Sequence, residues 1–218
     1  MMQENQKAAF ISAAERMKNM SIILYGILML VNLGISFWNA RIAGMSWEES
    51  KAVGGWVRAS VWAGAIMAAV GFTSVYGFIV LLVGVGSGWL PAGTAAVASS
   101  LLYLMMIIPC LGSGLIIMGE SWMRLARERS LANIGVAAWN TLAMAHNAWS
   151  AYNSLGKAWE SVTKSASDAL GMNDGDIDTD SDFIKAVIAV AIAVFGGVLT
   201  TVVIMRRYMG TVALPARN

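Results

Sequence analysis

Residues 59–119 read ASVWAGAIMAAVGFTSVYGFIVLLVGVGSGWLPAGTAAVASSLLYLMMIIPCLGSGLIIMG, 61 positions without an Asp, Glu, Lys, Arg or His, bracketed by Arg58 and Glu120. A bilayer hydrocarbon core about 30 Å thick is crossed by roughly 20 helical residues, so this run is too long for one crossing. Its middle, Gly84-Val-Gly-Ser-Gly-Trp-Leu-Pro-Ala-Gly93, gathers helix-breaking residues around an aromatic. The run therefore reads as two membrane helices, about 59–83 and 95–118, joined by a tight turn. That places the chain in the all-α class, as a polytopic transmembrane protein.

Composition agrees. Apolar residues make up 57% of the chain and charged ones 13%, against about 25% charged in soluble domains. A net charge of +2 with no Lys/Arg run argues against nucleic acid as a partner. One cysteine, Cys110, rules out an intrachain disulfide, and with one histidine, His146, it rules out a zinc site built from several Cys or His ligands. A Cys–His pair would need Cys110, inside a span, to meet His146, expected well outside it. The residues imply no cofactor and no metal.

Working outward, two more spans are expected. Residues 21–38 (SIILYGILMLVNLGISFW) form the first, a retained anchor rather than a cleaved signal peptide. It ends on Trp38 at headgroup level, and Asn32, its strongly polar group, is expected to face other helices. Residues 183–205 (FIKAVIAVAIAVFGGVLTTVVIM) form the last, stopped by Arg206 and Arg207. Small residues recur every four positions in two spans: Ala65, Ala69, Thr73 and Gly77, and Ala189, Ala193, Gly197 and Thr201. Each set makes a smooth face for close helix packing, within the chain or between copies. Pro109 lies inside the third span, where its ring removes one hydrogen bond, so a kink and a local break are expected.

Four regions follow: an amphipathic segment at 1–20, a three-span region at 21–119, an interfacial helix with an acidic loop at 120–182, and the last span with a basic tail at 183–218. In the loop at 39–58, Ser46-Trp-Glu-Glu49 has a capping-box pattern, predicting a helix from Trp47 that runs on into the second span. Residues 131–156 hold no Asp, Glu, Lys or Arg but carry Asn133, Asn140 and Asn147 seven apart, with Trp139, Trp149 and Trp159 at ten-residue intervals. This predicts a long helix at the interface or packed over the bundle; a fifth span at 131–156 is the alternative. The asparagines, with Asn32, are candidates for a polar lining. Asp174, Asp176 and Asp178 match the first EF-hand ligand positions, but Thr179 and Lys185 stand where the Gly and the bidentate Glu belong, so a solvated acidic loop is expected.

With four spans both termini share a side. Leaving the long loop aside, the basic residues favour termini in the cytoplasm of a plasma or bacterial inner membrane. Arg124, Arg127 and Arg129 disagree, and a fifth span would reconcile them with the termini on opposite sides. None of these four spans holds an ionisable residue in its interior, which disfavours pumps and ion-coupled transporters. No phosphate-binding loop, GxSxG or HExxH motif occurs, so no enzyme is expected. Two functional classes remain. One is a non-catalytic membrane subunit of a secretion, conjugation or virion-type assembly, with lipid, other subunits or its own copies as partners. The other is a small oligomeric pore.

Overall fold

A computed structural model describes Leu24, residues 26–169 and residues 178–211. The expected amphipathic segment at 1–20 and most of the acidic loop lie outside these residues. The described chain is helical without strands: α1 Gly26–Met45, α2 Trp47–Val53, α3 Gly55–Gly86, α4 Ala92–Arg127, α5 Leu131–Ala169 and α6 Asp178–Tyr208. Four of them, α1, α3, α4 and α6, are long and apolar enough to cross a membrane. Helix is the form such sequences must take in lipid, because it satisfies every backbone N–H and C=O within one segment.

The turn expected at 84–93 joins α3 to α4. Gly88 takes a φ of +76° there, the Leu90 N–H donates to the Gly84 carbonyl at 2.9 Å, and the Leu90 side chain folds back onto Gly84. Its aliphatic bulk is almost fully buried, which ties the turn down from inside.

Long helices alternate in direction. Asn32 of α1 meets Gly71 of α3 while Ala43 meets Gly64. Gly77 of α3 lies beside Ala193 of α6, and Thr73 beside Gly197. In the α4–α5 pair, Trp122 reaches Thr141, Cys110 meets Asn147 and Tyr103 reaches Ser150. So α1, α4 and α6 run one way, and α3 and α5 the other. The start of α1 and the end of α6 therefore lie at opposite ends of the bundle. α3 is central, packed against α4 and α6, with one core cluster around Ala40, Ala68, Phe72 and Met205 and another around Leu90, Leu102, Ala186 and Ala193.

Three local expectations change. The helix at Trp47 starts where the capping box places it, but Ser46 makes no side-chain cap; its N–H donates to Ile42 and its carbonyl accepts from Ser50, continuing the ladder from α1. Nor does that helix run into α3: Gly54 and Gly55 take φ of +68° and +53°, a left-handed step that breaks it. Finally, α4 is unbroken through Pro109.

Because the α3 and α6 backbones nearly touch, Gly197 has no room for a side chain: a Cβ there would meet the Thr73 side chain and backbone. Gly197→Ala is expected to destabilise by about 1–3 kcal/mol, the usual range for overpacking, in denaturant titrations in mixed micelles. Gly112→Ala, on an open face of α4, is expected to be neutral or mildly stabilising.

Candidate functional site

The residues singled out by sequence fall into three places. The first is the α3–α6 seam. Ala65, Thr73 and Gly77 are buried and Ala69 half-buried on α3, while Ala189, Ala193, Gly197 and Thr201 are all buried on α6. The two four-residue stripes face each other within the chain. With no hydrophobic drive between helices in lipid, close van der Waals approach is the main source of association, and small side chains permit it. Beside the seam, Tyr76 Oη and Thr200 Oγ1 share a hydrogen bond of 2.9 Å.

The second place is the α1–α3 contact. Asn32 Nδ2 donates to the Gly71 carbonyl at 3.4 Å. Ser36, buried beside it, donates to the Asn32 carbonyl at 2.6 Å. Gly71 makes space for both, since a Cβ there would strike the Ser36 hydroxyl. Asn32 thus joins α1 to α3.

The third is the α4–α5 seam, where Asn133, Asn140 and Asn147 are half-buried. Asn147 Nδ2 donates to Cys110 Sγ at 3.3 Å. Asn133 Nδ2 donates to the Glu128 carbonyl at 2.9 Å, and its N–H donates to Ser130 Oγ, so it secures the start of α5. Four positions on from each asparagine stand Ala137, Met144 and Ala151, and the pattern continues through Ser154, Ala158, Ser161 and Ser165, all half-buried or buried. Sequence reasoning missed this second row of the seam; its signal was the small residues Ala137 and Ala151, four on from Asn133 and Asn147. A strict seven-residue repeat of this kind winds one helix along another.

Running lengthwise along α4, α5 does not lie across the bundle. His146 is correspondingly next in sequence to the residue that touches Cys110, not remote from the spans. It is nevertheless exposed on the opposite face of α5, so no Cys–His pair forms.

One end of the bundle gathers cations: Arg41, Lys51, Arg58, Arg124, Arg127, Arg129, Arg206 and Arg207, against Lys157, Lys164 and Lys185 at the other. Aromatic rings hold two of the arginines. Arg58 lies 4.0 Å from the Trp47 ring centroid and donates to the Trp47 carbonyl and to Ser50 Oγ. Arg41 sits 5.4 Å from both Trp38 and Tyr208. Among the described residues the ion pairs are local ones, Lys51–Glu48 and Lys185–Asp182, both 2.9 Å, so none of these arginines has a carboxylate partner there.

An open apolar groove of about 420 Å³ lies between α3 and α6, lined by Trp62, Ile66, Val202 and Met205, with Arg206 at its edge. A second, of about 370 Å³ and more polar, lies between α1, α3 and α4 near Ser46, Glu49, Glu120 and Arg124. Among the described residues no three His, Cys, Asp or Glu side chains come together as metal ligands would. The chain matches no protein-family model, no curated protein and no solved structure at a significant level.

Asn32→Leu removes one interhelical hydrogen bond and is expected to lower stability by about 0.6 kcal/mol, the mean for such bonds in membranes. Unfolding in mixed micelles checks it, with Ser36→Ala as the neighbouring comparison.

Proposed function

We propose that this chain is a non-catalytic integral membrane subunit of a larger membrane assembly of secretion, conjugation or virion type. The observation that carries this reading is the use of its polar side chains. Asn32, Ser36, Asn133 and Asn147 are spent on contacts within and between helices. The same observation counts against a pore within one copy.

We further infer that α5 crosses the membrane with the other four long helices. A helix lying along α4 through its length shares α4's angle to the bilayer. Its half-buried and buried face is small and polar, while Leu131, Trp139, Leu142, Trp149 and Tyr152 point outward, the distribution suited to lipid outside and polar packing within. Five crossings put the termini on opposite sides, and the arginine-rich end becomes cytoplasmic under the positive-inside rule. Assigning Lys7, Arg16 and Lys18 to the far side and Arg217 to the near one, by chain order, leaves nine basic residues inside and six outside.

Single cysteines in a Cys110→Ser background test the crossing. Ser130→Cys is expected to label with a membrane-impermeant maleimide only after permeabilisation, and Asp176→Cys from outside intact cells. Labelling of both from the same side would return α5 to the interface.

Purification in mild detergent is expected to retain fixed membrane partners, and liposomes of the isolated protein to pass no ions. Selective flux abolished by Asn140→Leu and Asn147→Leu would instead establish a pore.

A further inference from the structure

We propose that the outward seam of α5 is where a second copy of this chain docks, the two α5 helices running parallel; this rests on α5 crossing the membrane. Trp139, Leu142, His146, Trp149, Asn153 and Gly156 follow one another at spacings of three, four, three, four and three residues, and every one is exposed. That is the spacing of a coiled-coil seam. The same helix already uses this spacing on its opposite face, where α4 packs. The outward seam is a second face of the same construction, exposed throughout, with Gly156 at its end bordering an open apolar pocket shared with Leu104 and Ile108 of α4.

Chemistry points to an occupant. Asn147 and Met144 lie against Cys110 and Gly114, near the middle of Ala92–Arg127, so His146 stands at mid-depth on the lipid-facing side. An imidazole there is unfavourable against acyl chains and calls for a hydrogen-bonding partner. One heptad on, Asn153 is also exposed, its Nδ2 donating to the Trp149 carbonyl at 2.9 Å while its amide oxygen has no protein donor among the described residues. Histidine and asparagine each carry a donor and an acceptor. In a parallel pair about a two-fold axis along the membrane normal, each such position meets its own copy, donor to acceptor, without opposing like charges. A second copy therefore answers the seam's hydrogen-bonding pattern, which lipid does not.

Cysteine-scanning cross-linking in native membranes tests this. In a Cys110→Ser background, Leu142→Cys, Trp149→Cys and Gly156→Cys are expected to form disulfide-linked dimers. Ala148→Cys on the flank of α5 and Phe195→Cys on the exposed face of α6 are expected to stay monomeric. His146→Ala with Asn153→Ala should lower the cross-linked fraction at position 149 by about threefold or more, the factor equivalent to one interhelical hydrogen bond of ordinary strength in a membrane. Cross-linking without the seven-residue period, equal yield at position 195, or capture of a different protein at position 149 would overturn the proposal. A monomer that still co-purifies with fixed partners would overturn it while leaving the subunit reading intact. Same-side labelling of positions 130 and 176 would remove the membrane-crossing premise instead.

Discussion

The contact on which the rest of the bundle depends is the near-touching of the α3 and α6 backbones at Thr73 and Gly197. In water, burial of apolar surface would pull two such helices together whatever their side chains. In lipid that drive is absent, and association rests on how closely two surfaces fit. Glycine and alanine at four-residue intervals on both helices make that fit. Once α6 is seated there, its far end lies against α1 through Met205 and Gly44, and its near end against the start of α4 through Ala186 and Leu90. Residues distant in the chain thus share one core because one pair of backbones approaches closely.

The polar groups follow a related logic. An amide or hydroxyl inside a membrane helix must find a partner, and in this protein the partner is usually a backbone carbonyl. Ser36 and Thr201 donate to their own helices, and Asn32 to the facing one. Such bonds help to fix register. Helix α5 turns its small and asparagine-bearing side toward α4, while its outer side carries Trp139, Leu142, Trp149 and Tyr152 together with His146 and Asn153. The asparagine-bearing side meets α4 through Asn147 and Cys110.

At the arginine-rich end a different constraint governs. Arg41 and Arg58 lie at helix ends among Trp38, Trp47, Trp62 and Tyr208. A guanidinium can lie over an aromatic face while its other nitrogens stay free to bond elsewhere, so these rings hold the two arginines in place at the helix ends. Gly54 and Gly55 turn the chain sharply in this zone, bringing Ser50 and Trp47 within reach of Arg58.

Much of this was legible in the linear chain. The absence of charge over residues 59–119, the Gly/Pro turn and the small-residue stripes determine by themselves that the protein is helical, belongs in lipid and has faces built for close approach, because these are local consequences of hydropathy and of 3.6-residue periodicity. Sequence alone could not say that the two stripes face each other, that the asparagine row lies along α4, or that the Ser46 pattern forms no cap. Those depend on which face of which helix meets which, and in the weakly driven setting of a bilayer that choice is made by complementarity between distant segments. The number and direction of the long helices were decided the same way. The hydropathy of α5 is too low to mark it as a span, and only its pairing along α4 sets its course beside the other long helices.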